Sequence, residues 1–254
     1  VSRRWDALTY DRVTDPLVRM GTSVLDRVRL AGDETVLDAG CGTGRVTEQL
    51  LERLPKGRVI ALDMSAAMLD AASARLARFG DRVTFVQADL AQPVRLPDGQ
   101  VDLVVSTAVF HWVTDQGALY RNLGSLIRVG GRLAAQCGGA GNCASVLATM
   151  ESLGERPMDR LRFLAPDDAR ARLADAGFVD IEAWLQPEPV TFDTRAELET
   201  YLATVFLGPL TDRPATELPS LAAEVASRLR DLTIDYVRLN LAAVMALGPR
   251  LHTG

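Results

Sequence analysis

The chain has 254 residues, of which 48% are hydrophobic and 24% charged, and a net charge of −5, a balance that suits one soluble α/β domain with a small added subdomain. The acidic balance argues against a nucleic-acid partner, which calls for a basic face; Lys56 is the only lysine, and no signal-peptide pattern or membrane-spanning apolar run is read. Cys41, Cys137 and Cys143 form neither a CxxC pair nor an even disulfide framework, so reduced thiols in a cytoplasmic setting are expected.

From about Thr35 to Gln136, strand and helix patterns alternate, which predicts a parallel sheet covered by helices. Thr35–Ala39 is a first strand, Val46–Arg53 its helix and Arg58–Leu62 a second strand. Ser65 precedes an alanine-rich periodic run and caps the helix it opens. Arg82–Gln87 is a third strand, and Val101–Ser106, nearly all apolar, is a fourth, covered on both faces. Gln116–Ile127 is a helix ended by a Gly130-Gly131 turn, and Arg132–Gln136 starts a fifth strand. Asn142 stands where it could cap the next helix. Asp167–Asp175 reads as a helix closed by Gly177, and Val179–Leu185 as a strand. Phe192–Leu207 and Leu218–Leu232 are helical patterns separated by the proline-bearing stretch Gly208–Pro219, and Ile234–Met245 is a last strand.

The first strand runs into Asp38-Ala39-Gly40-Cys41-Gly42-Thr43-Gly44. A carboxylate followed by glycines at alternate positions lets the backbone come close to a ligand that side chains would exclude. Nucleotide-like ligands bind at such strand-to-helix loops in doubly wound sheets. The spacing is G-x-G-x-G, not the dinucleotide G-x-G-x-x-G, and no Lys-Ser or Lys-Thr follows to make a P-loop; a tight turn without a ligand is the plain alternative. Asp63, after the second strand, can accept both ribose hydroxyls, or else serve the dipole of the Ser65 helix. Asp89-Leu90 follows the third strand, where an Asp taken alone is most often a turn residue. Met64 and Met68 either pack on a bound ring or fill the core, Met64 being the better contact. Ser106 and Thr107 end the fourth strand.

Residues 37–44, LDAGCGTG, resemble the first motif of class I S-adenosylmethionine (AdoMet) methyltransferases, and the family's later landmarks follow in order. The resemblance implies an α/β fold: a doubly wound, seven-stranded Rossmann-like sheet with six parallel strands, the last strand returning antiparallel between strands five and six. It implies one domain over residues 1–254, with 1–30 as an N-terminal helical lid and 192–232 as a helical insertion capping the acceptor pocket. AdoMet is the implied cofactor and a small molecule the implied acceptor. Asp38, Gly40, Cys41, Gly42 and Gly44, with Ser106 and Thr107, would meet the methionine end. Asp63 would hold the ribose, while Met64, Asp89 and Leu90 would border the adenine. No HxH or CxxC arrangement suggests a metal.

The fourth strand delivers Phe110-His111-Trp112-Val113 to the ligand edge. This segment resembles the His-Trp dipeptide of small-acid carboxyl methyltransferases, and the wider likeness is to the trans-aconitate and malonyl-carrier-protein methyltransferase branch. His111 is a candidate general base, or a hydrogen-bonding or packing residue; relatives carrying Gln in its place argue against an obligatory base. The Trp112 indole would help hold a substrate carboxylate, or else cover the sheet end. Trp5, Tyr10, Gln136 and Asn142 are further acceptor-side candidates, as are Tyr201, Phe206 and Leu207 on the insertion. Carboxyl O-methylation by in-line transfer is the leading expectation, because a carboxylate is ionised at neutral pH and needs orientation more than deprotonation. Methylation at carbon, nitrogen or a hydroxyl, and AdoMet binding without turnover, stay open. No arginine stands out by position as the partner of a polyacid, and the oligomeric state is not legible.

Overall fold

The computed structural model of the chain describes residues 15–246, with side chains from Arg19 onward. Trp5, Tyr10 and the first half of the expected lid lie outside the described residues.

Runs of Val, Leu, Ile and Ala with both faces buried make the central strands β1 (Thr35–Ala39), β2 (Arg58–Asp63) and β4 (Val101–Thr107). Burial on both sides is what helices on each face of a parallel sheet require. With β3 (Val83–Gln87), β5 (Ile127–Gly138), β6 (Phe178–Pro187) and a last strand Val237–Met245, they form one sheet. Its order is β3-β2-β1-β4-β5, then the last strand, then β6. The last strand pairs antiparallel with both β5 and β6, and the other recorded pairings are parallel. The seven-stranded architecture expected from the sequence is therefore present.

Helices α1 (Asp15–Leu25), α2 (Arg45–Arg53) and α3 (Ala66–Leu76) bury Val24, Leu25, Leu50, Leu51, Ala72 and Leu76 against one face. On the other face, α4 (Gln116–Leu126) and α6 (Pro166–Asp175) bury Leu119, Leu123 and Leu173. A separate cluster holds α5 (Ala144–Ser152), α7 (Arg195–Tyr201) and α8 (Leu218–Arg228) together with Leu161, Phe206 and Tyr236. No helix among the described residues is long and apolar enough to cross a membrane.

The structure corrects several sequence boundaries. Gly130 and Gly131 do not close α4 before a separate strand but lie within extended chain. There the β4 pairing jumps from Val101↔Ile127 to Leu103↔Arg132, and Gly130 takes up the irregularity at φ +75°. The first helix of the 192–232 stretch begins at Arg195, not Phe192, because Thr194 and Glu197 form a reciprocal capping box. It then continues through a π-helical turn, Leu202–Leu207. The helix expected to reach Leu232 stops at Arg228. The last strand is broken at Asp235-Tyr236: β8 (Thr233–Ile234) pairs with β7 (Val190–Thr191) in a separate ribbon, and β9 (Val237–Met245) enters the main sheet. Asn142 does not cap α5. Its Oδ1 accepts from the Val237 N–H at 2.9 Å, and the Asp235 carboxylate meets the Ser145 N–H in its place.

Candidate functional site

Beyond β1 the chain turns through Gly40–Gly44, and the turn is fastened to the end of β2. The Gly40 and Cys41 N–H groups donate to the Leu62 carbonyl at 2.8 and 2.9 Å. The Gly42 N–H donates to Asp63 Oδ2 at 2.9 Å, and Asp63 Oδ1 accepts from the Ser65 N–H, also at 2.9 Å. Gly40 sits at φ +86°, and a Cβ there would lie 2.2 Å from Val109 Cγ2. Close approach of the β4 loop thus requires glycine at this position. Ser65 caps α3 through the Met68 N–H.

These elements border a cleft of about 410 Å³, lined by Gly40, Gly42, Asp63, Met64, Met68, Asp89, Leu90, Thr107 and Trp112, among others. The structure so gathers eight of the sequence candidates and adds Met68, which is buried yet reaches the cleft. Asp38, Cys41, Gly44 and Ser106 lie in or beneath the loop and do not line it. Asp38 is buried and accepts from Thr47 Oγ1 at 2.6 Å; burial pushes its carboxyl up to about 7. Burial also raises the Asp63 carboxyl, against the pull of its backbone hydrogen bonds. Ser106 Oγ donates to the Ala39 carbonyl at 2.6 Å, tying β4 to β1. Burial raises the thiols of Cys41, Cys137 and Cys143, so none offers a thiolate at neutral pH.

A second, smaller chamber of about 40 Å³ opens beside the cleft, and Ala108 and Trp112 line both. Its wall includes His111, Asn142, Phe163, Phe206, Tyr236 and Arg238. Ala108 holds a left-handed φ of +61°, a conformation a non-glycine residue adopts at a cost. The short turn Phe110–Trp112 that follows is fastened by buried Gln116, whose Nε2 donates to the Phe110 and Val113 carbonyls. The Gly138 N–H donates to His111 Nδ1 at 3.2 Å. Gln136 lines neither space: its amide donates to Asn240 Oδ1 at 3.0 Å, which also accepts from Arg27. Tyr201 pairs its hydroxyl with that of Tyr236 at 2.7 Å, and Phe206 reaches the chamber from the π turn. Arg238 was not legible as a site residue. The available signal was the pair of polar residues, Arg238 and Asn240, at alternate positions of Val237-Arg238-Leu239-Asn240-Leu241; in the structure Arg238 is 1% exposed.

The cleft suits AdoMet. Its volume lies within the range of small-molecule sites, glycine backbone forms one edge, and Asp63 and Asp89 stand along it with apolar Leu62, Met68 and Leu90 between. A family profile described as a methyltransferase domain matches residues 36–131, the part that builds this cleft. A trans-aconitate 2-methyltransferase of Methylobacterium nodulans is 34% identical over 189 residues, 74% of this chain and 70% of the relative. Another, from an Azoarcus species, is 36% identical over 172 residues, covering 68% of this chain but only 60% of its own length. Among solved structures, Haemonchus contortus phosphoethanolamine N-methyltransferase 2, in complex with phosphomonomethylethanolamine and S-adenosylhomocysteine, matches with a TM-score of 0.66 and 19% identity. That match covers 95% of this chain and 57% of the other, and it speaks for the fold alone. The glycine loop, the acidic strand ends and the sequence kinship agree: the chain belongs to the class I AdoMet-dependent methyltransferases, with AdoMet as methyl donor.

Proposed function

We propose that the enzyme methylates a carboxylate of a small acid held where the cleft meets the chamber, beneath the cap formed by residues 192–232. The observation that carries this reading is the hydrogen bond to His111. A backbone N–H can only donate, so Nδ1 is the unprotonated nitrogen of a neutral ring and Nε2 carries the proton. A ring in that state has no lone pair at Nε2 with which to take a proton from an acceptor. The buried thiols offer no alternative base, and Asp38 faces neither space. An acceptor that arrives already ionised fits this set of side chains, and a carboxylate is ionised at neutral pH.

Asp63 would accept the ribose hydroxyls, and Asp89 with Leu90 would border the adenine. When bound, AdoMet would supply a sulfonium methyl that an acceptor carboxylate oxygen attacks in line, the O–C bond forming as the C–S bond breaks, giving the methyl ester and S-adenosylhomocysteine without proton transfer. The Trp112 N–H and His111 Nε2–H orient the carboxylate, the larger part of the task in such a displacement. Val205, Phe206 and Leu210 of the cap exclude water from that end. The trans-aconitate methyltransferase kinship supports a small organic acid as acceptor. Incubation with methyl-labelled AdoMet and a panel of small carboxylic acids tests the reading. A labelled product that mild base hydrolyses is expected; a base-stable product would overturn it.

A further inference from the structure

Two chains of aromatic rings border the chamber from different elements. Trp112, His111 and Phe163 form one, with successive ring centroids 5.0 and 5.7 Å apart. Tyr201, Phe206 and Tyr236 form the other, at 6.3 and 6.0 Å. The first chain stands at the mouth, because Trp112 borders both the chamber and the cleft. The second meets the chamber through Phe206 and Tyr236, neither of which lines the cleft. Its outer rings are tied together: the Tyr201 and Tyr236 hydroxyls are hydrogen bonded at 2.7 Å, and both residues are buried. Phe206 packs against both rings and is itself buried. The backbone that carries it is equally particular. In α-helical winding, residues five apart lie on different faces, yet Val205 and Leu210 line the chamber together with Phe206. The π-helical turn Leu202–Leu207, wound for i→i+5 pairing, brings them to one side. Pro209 follows directly. It has no N–H for the Val205 carbonyl four residues before it, and its ring crowds that carbonyl, which favours the wider winding.

We propose that Phe206 sets the length of acceptor the enzyme takes, as a rigid stop at the end of the chamber away from the reacting group. This rests on the chamber being the acceptor site, as under the proposed function. With the reacting carboxylate at the mouth beside Trp112, the rest of the acceptor points inward. The chamber's roughly 40 Å³ admits only a group on the order of a few water-sized atoms, so a longer chain must displace a ring. Tyr236 cannot yield without breaking its hydroxyl pair with Tyr201. Phe206 has no polar anchor, but rings hold it on two sides and the π turn fixes its backbone. Close-packed walls of this kind resist even one added methylene. Chains that end short of Phe206 are therefore accepted, and the first that reaches it is refused.

The test uses the full chain loaded with S-adenosylhomocysteine, titrated calorimetrically with straight-chain carboxylic acids of increasing length, ended by a methyl group or by a hydroxyl. In the wild-type protein, affinity should hold or rise up to one length and fall about tenfold or more at the next, the discrimination that one misplaced methylene allows. Phe206→Leu should move that step to a chain longer by about one carbon, and Phe206→Trp to one shorter by about one, since side-chain volume is what changes. A flat or gradual series in the wild-type protein, or a step at the same length in Phe206→Leu, would overturn the stop. Melting temperatures show which variants are folded, and the wild-type series decides even where one is not. Product analysis with methyl-labelled AdoMet separates the two readings. A step that moves with the side chain at position 206, with label in a base-stable product, keeps the stop and removes the ester reading; methyl esters formed with one length profile by all three proteins do the reverse.

Discussion

The cleft and the chamber hold buried groups of opposite sign. Around the cleft, Asp38 and Asp63 are carboxyls raised by burial; in the chamber, Arg238 is a buried cation without an acidic partner among the described residues. The acidic side complements the cationic methyl donor, and the basic side would complement the anionic acceptor of the proposed function. They are assembled differently. The cleft is made of residues at the ends of neighbouring strands, each beside its own helix, whereas the chamber draws on the β4 loop, the turn after β5, the segment at Leu161–Phe163, the cap and β9. Local motifs build the cleft, and tertiary assembly builds the chamber.

The largest effect is expected from Gly40→Ala. The added Cβ would meet Val109 at 2.2 Å with φ at +86°, so strain and overpacking together should cost about 2–5 kcal/mol. Gly42→Ala carries only the strain of positive φ, since no atom lies within 4 Å of its added Cβ, and should cost about 1–2 kcal/mol. Denaturant unfolding of both variants checks this. Equal losses would show that the β4 loop does not depend on close approach at Gly40.

The buried acid gives the donor side a pH signature. The Asp38 carboxyl, near 7 when folded, has an ordinary pKa of about 3.9 when unfolded. Below the unfolded value both states hold the proton and its contribution is full. As pH rises from about 4 to 7 only the unfolded state releases it, so the free protein loses up to about 4 kcal/mol, then levels off. Asp38→Asn keeps an oxygen for Thr47 and should flatten the profile. Urea unfolding across that window decides the matter; an unchanged slope in the variant would assign the dependence to another group.

That asymmetry also explains what the sequence could convey. The glycine loop, Asp63, Asp89 and the strand ends were legible because period and punctuation are local, and Thr35–Ala39 is a strand in both readings. Arg238 and Asn240 were not, because nothing near them in sequence says that Gly138 and Gln136 will be their neighbours across β5. Gln136 looked available to a ligand for the same reason, and only the pairing with Asn240 shows its amide engaged. The capping box Thr194–Glu197 was present in the sequence as T-x-x-E; the apolar Phe192 ahead of it drew the helix start too early.

Asp63→Ala and Trp112→Phe test whether the two sides separate in function. Loss of the Asp63 carboxylate should weaken AdoMet binding by about 1.5–3 kcal/mol, as charge-assisted hydrogen bonds warrant. Trp112→Phe removes one neutral donor and should cost about 0.5–1.5 kcal/mol in acceptor kcat/KM, with donor affinity measured by calorimetry nearly unchanged. Loss of donor binding in the second variant would mean that Trp112 belongs to the cleft and not to the junction.

The smallest effect is expected where a base would give the largest. Gln at position 111 keeps a donor but cannot take up a proton at neutral pH, so His111→Gln should lower kcat/KM for the ester-forming reaction by only about fivefold, within the reach of one altered hydrogen bond. If His111 removed a proton from the acceptor, the same change would cost about 10²–10⁴-fold and erase a limb of the pH–rate profile near the imidazole pKa. His111→Ala, which lacks the donor altogether, should fall below His111→Gln without altering the shape of that profile. The ranking of the two variants and the form of the profile together separate a hydrogen-bond donor from a base, because packing loss alone would affect rate and not pH dependence.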